Sequence, residues 1–146
     1  MSYLLCYNVH MNTFDLLRFA DEQDIPVYDF KTGNKKAFCT ADAIAIDFNR
    51  IETERESKAI LSEELAHVIT GSLYPLHYCG NTLYRENIEK QERRAHDYSL
   101  KLQVPLNELK IAISHETSDY EVAELLDIDV GTLHDVVDYY KRKGML

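Results

Sequence analysis

The stretch from Glu52 to Gly71 constrains this chain most, because it reads as one long helix with a polar cluster inside an apolar frame. Glu52-Thr53-Glu54 puts acidic residues in its first turn, where the positive end of the helix dipole favours them. Ile60, Leu61, Leu65, Val68 and Ile69 give an apolar face, and Gly71 stops the helix. Within that frame stand Glu63, Glu64 and His67. Glu63 and His67 lie four positions apart, so they sit one above the other on one face. Two side chains so placed can bind one metal ion. Charges buried in an apolar helix need partners, and a metal would provide one. The same spacing is common on solvated helix faces, so the pattern alone does not decide.

The flanking chain reads as an α+β domain. Met11–Gln23 is expected to form a short amphipathic helix, carrying Phe14, Leu16, Leu17 and Ala20 and capped by Asn12 or Thr13. Ile25-Pro26-Val27-Tyr28 looks extended, since the residue before proline avoids the helical region. Lys31–Lys36 has turn composition. Ala37–Cys39 and Ala43–Ile46 read as strands joined tightly at Ala41-Asp42. The expectation is a small N-terminal sheet, antiparallel throughout. After the long helix, Tyr74–Thr82 is irregular, with Pro75 and Gly80. Helices are expected at about Tyr84–Gln103, ending at Val104-Pro105, and at Leu106–Ser114. Two short helices follow around Asp127-Ile128-Asp129. The length of 146 residues suits one compact domain with at most a small appendage.

The formal net charge of −9 bears on partners. An acidic chain neutralises phosphates poorly unless its bases cluster, and the one dense cluster is Lys141-Arg142-Lys143. Nucleic acid is therefore not the expected partner. No basic leader with a long apolar run opens the sequence, and no stretch approaches a membrane span. Cys6, Cys39 and Cys79 form no CxxC pair and read as free thiols, which suits a cytoplasmic protein.

The run Glu63-Glu64-Leu65-Ala66-His67-Val68-Ile69-Thr70-Gly71 resembles the active-site helix of the ImmA/IrrE family of metallopeptidases. Lys90-Gln91-Glu92-Arg93-Arg94-Ala95-His96-Asp97-Tyr98, followed by Val104-Pro105, resembles that family's second helix. The resemblance covers nearly the whole chain. It implies a zincin-like body over residues 1–116, with the helix pair at 117–146 packed on it. It implies that His67 and Glu92 are zinc ligands and that Glu64 activates water to attack a peptide carbonyl. Glu63 stands where the family usually has its first histidine, a variation seen among phage-type relatives, and would be the remaining ligand. One imidazole and two carboxylates balance the charge of a divalent ion. They weaken its Lewis acidity and tilt preference from zinc toward manganese or iron. Weak or substrate-restricted hydrolysis is the expectation. His96 lies four residues after Glu92 and is an alternative ligand. Tyr74, His77 and Tyr78 are candidate donors to a developing oxyanion.

Family members act on helix-turn-helix repressors of prophages or mobile elements, so the resemblance implies an antirepressor. Two alternatives stand beside it: a catalytically weak or inactive relative that works by binding alone, and a DNA-binding regulator. Asp119–Leu133 has helix-turn-helix spacing, with Ala123 at the crossing, Asp127 where glycine often stands, Ile128 in the turn and Leu133, Val136 and Val137 beyond it. Its second helix offers His134, Asp135 and Asp138 instead of the Arg, Lys, Asn or Gln that read base edges. It reads as a packing or substrate-docking unit.

Overall fold

The computed structural model describes residues 10–73 and 82–146. Among these the architecture is α+β, as expected: six helices and one three-stranded sheet. Two compact units divide the chain between Gln103 and Val104.

The larger unit, Asn12–Gln103, begins with α1 (Thr13–Glu22). Asn12 caps it reciprocally with Asp15: the Asn12 side chain accepts from the Asp15 amide at 2.9 Å, and the Asp15 carboxylate accepts from the Asn12 amide. Leu16 and Ala20, one turn apart, are buried and supply the inward face. The amide of Thr13 donates to the carboxylate of Glu54 at 2.6 Å, which joins the start of α1 to the start of α2 (Glu54–Thr70).

Three short strands follow: β1 (Val27–Asp29), β2 (Ala37–Cys39) and β3 (Ile44–Ile46). The sheet is mixed, which corrects the expectation of antiparallel pairing throughout. Its order is β1-β3-β2, with β1 parallel to β3 and β2 antiparallel to β3. The cause lies in the two connections. Thr40 and Ala43 close a tight turn, amide to carbonyl at 2.8 Å, and this fixes β2 beside β3. The longer loop from Phe30 to Lys36 lets the chain swing past, leaving the other side of β3 for β1. Arg50 pins that loop by donating to the carbonyls of Gly33 and Lys35. Ile44 and Ile46 are fully buried whereas Phe38 is exposed, so one sheet face packs on the body of the unit and the other meets solvent.

α2 is the spine of this unit. Thr53 caps it, accepting from the Glu56 amide at 3.1 Å, and Lys36 pairs with Glu56. Leu61, Leu65 and Ala66 are fully buried, and so is Lys58. Burying a leucine side chain contributes about 1.5–3 kcal/mol, so this face does much to hold the helix in place. α2 contacts the sheet, α1 and, most extensively, α3 (Thr82–Gln103). α3 buries Ala95, Ser99, Leu100 and Leu102. Among the described residues no helix is long and apolar enough to cross a membrane.

The second unit comprises Val104–Leu146 with the described residues His10 and Met11. It holds α4 (Leu106–His115), α5 (Asp119–Leu125) and α6 (Val130–Arg142). α4 groups here with the helix pair, whose α5 it contacts. Ser118 and Glu121 form a reciprocal cap on α5, and Asp129 caps α6 by accepting from the Thr132 amide at 2.8 Å. Between them Asp127 has φ +51°, the left-handed backbone that the turn demands. Aspartate enters that region more readily than most residues other than glycine. Ala123, Ile128, Leu133 and Val136 are buried at the crossing, where the spacing places them. Tyr140 is buried, and its hydroxyl donates to the Val104 carbonyl at 2.8 Å. Burial pushes its phenol up to about 12, so it remains a donor at any physiological pH.

Candidate active site

A cleft of about 690 Å³ opens in the larger unit between β2, α2 and α3. Its lining includes Cys39, Glu64, His67, Ser72 and Glu92. Three residues singled out in the sequence, Glu64, His67 and Glu92, are thus brought together from two helices. Glu92 stands exposed at the rim, while Glu64 and His67 are half-buried.

The end of α2 explains how the imidazole is set. Gly71 is left-handed, at φ +66° and ψ 22°. The chain turns there so that the Ser72 amide donates to the His67 carbonyl at 3.0 Å and the Gly71 amide to the Val68 carbonyl at 3.3 Å. This is the Schellman pattern. It folds Ser72 back over the last turn, where the Ser72 carbonyl accepts from Nδ1 of His67 at 3.0 Å. A carbonyl only accepts, so the proton is on Nδ1 and Nε2 is the ring's acceptor. The buried Ser72 hydroxyl donates to the carbonyl of Gln91 at 3.1 Å. One residue therefore fixes the ring of His67 and ties the end of α2 to the turn of α3 that carries Glu92.

Glu64 is shaped by burial. Loss of solvent pushes its carboxyl above the usual carboxylate range, against the opposing pull of the Cys39 thiol, His67 and Lys35. Burial first, then the neighbouring Glu64 carboxylate, pushes the Cys39 thiol up to about 12. Cys39 is thus held as a thiol and not as a thiolate nucleophile.

Glu63 is exposed and does not line the cleft. It stands near enough that its charge adds to the upward shifts of both Cys39 and Glu64. His96 is exposed on α3 and is also outside the lining. Tyr74, His77 and Tyr78 lie outside the described residues.

The donor types in the cleft are imidazole, carboxylate and thiol, which suit zinc and its neighbours among divalent ions. The Nδ1–H to carbonyl bond of His67 is the outer support that a ligating histidine commonly has. Among the described residues no three His, Cys, Asp or Glu side chains stand close enough to form a ready ligand cluster. His67 and Glu92 are thus of ligand type and line one cleft, without a ready cluster around them.

One further feature borders the cleft. Among the described residues β2 is an edge strand, and Ala37, Phe38, Cys39 and Thr40 all contribute to the lining. Lys36 and Thr40 bond to the β3 side. By alternation the backbone groups of Ala37 and Cys39 face the open edge. Sequence reasoning missed Ser72, which has no signature beyond following Gly71, and missed Cys39 as a partner of Glu64. Compared with protein-family models, with curated proteins and with solved structures, the chain matches none.

Proposed function

We propose that this protein is a metal-dependent, endopeptidase-like antirepressor of the ImmA/IrrE type, which takes an extended segment of a helix-turn-helix repressor along β2 and into the cleft. The observation that carries the reading is the meeting of Glu64, His67 and Glu92 in one cleft beside β2, an edge strand among the described residues. An extended segment added to a strand edge gains main-chain hydrogen bonds, and the groups of Ala37 and Cys39 are turned that way. His67 and Glu92 would hold the ion, with Glu63 as the remaining donor that the family resemblance implies. When bound, a divalent ion supplies Lewis acidity and an acidified water.

The chain's own residues do the rest. Glu64 takes the proton of the attacking water and returns it to the leaving amine. Its raised pKa makes it a stronger base than an exposed glutamate. The Cys39 thiol lines the cleft beside the Glu64 carboxylate. Ser72 keeps the His67 ring turned so that Nε2 is its acceptor.

A second reading, capture of the repressor without cleavage, is favoured by one observation: Glu63 is exposed and does not line the cleft. One experiment separates the two. A helix-turn-helix repressor encoded beside this gene is incubated with the zinc- or manganese-loaded protein and followed by intact-mass spectrometry. New peptide termini with the wild type and none with Glu64→Gln support hydrolysis. Stable association with both, and no cleavage, supports capture. Neither association nor cleavage refutes both readings for that partner.

A further inference from the structure

We propose that the groove formed by α4, α5 and α6 is a docking site for a basic amphipathic helix of a partner protein. It does not depend on the chemistry of the α2 cleft, since it lies wholly within the second unit. The groove has a volume of about 540 Å³, within the ~300–1,000 Å³ typical of sites that take a ligand. Ile113, Val122, Leu133, Val137 and Leu146 supply its apolar lining. Glu116, Asp119 and Asp138 stand around them, against Lys141 and the imidazole of His134. Asp119 is held at the mouth by Nε2 of His134, 2.8 Å away.

Charge selects the partner's sign. Between Val104 and Leu146 acidic residues outnumber basic ones, and of the bases gathered at Lys141-Arg142-Lys143 only Lys141 lines the groove. An acidic border around an apolar floor complements apolar side chains flanked by Lys or Arg. It repels phosphates, which argues against duplex DNA in the same place. Backbone chemistry selects the partner's conformation. The described residues of this unit contain only helices and turns, so they offer an extended segment no strand edge to pair with. A helix satisfies its own backbone and presents apolar residues at i, i+3, i+4 and i+7 to such a groove.

The test uses the full chain and a fluorescein-labelled synthetic peptide with Leu and Lys in a helical repeat. Its counterpart has Glu in place of every Lys. Anisotropy at low and moderate salt gives affinity, and amide NMR shifts locate the contact. The expected result is saturable binding of the basic peptide only, with shifts at Val122, Leu133 and Val137. Asp119→Lys with Asp138→Lys should weaken binding at least tenfold. Asp119→Asn with Asp138→Asn should weaken it less, and circular dichroism verifies that each variant is folded. Reversing Asp21 and Glu22 on α1 instead should leave the affinity within twofold. Equal loss from both reversals would mean attraction to net charge alone and would overturn the proposal. So would shifts confined to other surfaces, an absence of binding, or a dimer of this chain with Val137 at its interface.

Discussion

Replacing Gly71 tests how far the site depends on the end of its own helix. At φ +66° an L-residue suffers a clash between Cβ and the backbone that costs roughly 1–2 kcal/mol. A Cβ built at Gly71 meets no other atom within 4 Å, so no packing penalty is added. Alanine also restricts the unfolded chain, which offsets about 0.4–1 kcal/mol. The net loss for Gly71→Ala is about 1 kcal/mol. In a unit the size of Asn12–Gln103 that lowers the melting temperature by about 4–8 °C. Asparagine tolerates the left-handed region and should lose less, while β-branched valine should lose more. Thermal and urea unfolding of the three variants gives the ranking, and the ¹⁵N shifts of His67 report its tautomer. Loosening the turn moves the Ser72 carbonyl off Nδ1, so the ring should become a mixture of tautomers in the same order. An alanine variant as stable as wild type, or a valine variant no worse than alanine, would refute the reasoning.

Other outcomes follow from the same geometry. Ser72→Ala removes the hydroxyl bond to Gln91 and should cost about 1–2 kcal/mol while lowering metal affinity, read by calorimetry. Tyr140→Phe leaves the buried Val104 carbonyl without its donor and should cost about 1–3 kcal/mol in urea unfolding. Glu64 titrates higher folded than unfolded, so the native state binds more protons between the two values, and stability falls as pH rises through that window. Glu64→Gln should therefore melt higher than wild type at pH 8, with the gap closing below the unfolded carboxyl value. Cys39, pushed up to about 12, should react with iodoacetamide at pH 8 far more slowly than a free thiol, and faster in Glu64→Gln. Peptide-resolved mass spectrometry separates it from Cys6 and Cys79.

Much of the local structure is legible in the sequence. Asn12, Thr53 and Asp129 have the polar side chains that cap helices, and Gly71 and Asp127 sit where the backbone must turn left-handed. Each works through short-range chemistry that its neighbours reveal. The strands are equally visible, but their order is not, because alternation of apolar residues fixes a face and not a neighbour. Only the tight Thr40–Ala43 turn against the longer Phe30–Lys36 loop decides that β3 is central. Within the site, helical spacing groups Glu63 with His67 as readily as Glu64 with His67. Long-range packing of β2 over α2 selects Glu64 for the cleft. The roles of Ser72 and Cys39 arise from the same packing. The burial of Lys58 on α2 runs against what its charge suggests in the sequence.

The account rests on the cleft holding a divalent ion through His67 and Glu92, and isothermal titration of the chelator-treated protein with zinc tests this most directly. Uptake near one ion per chain, abolished in His67→Ala and in Glu92→Ala while both variants remain folded, is the predicted result. No uptake by the wild type, or uptake that survives both substitutions, would contradict it.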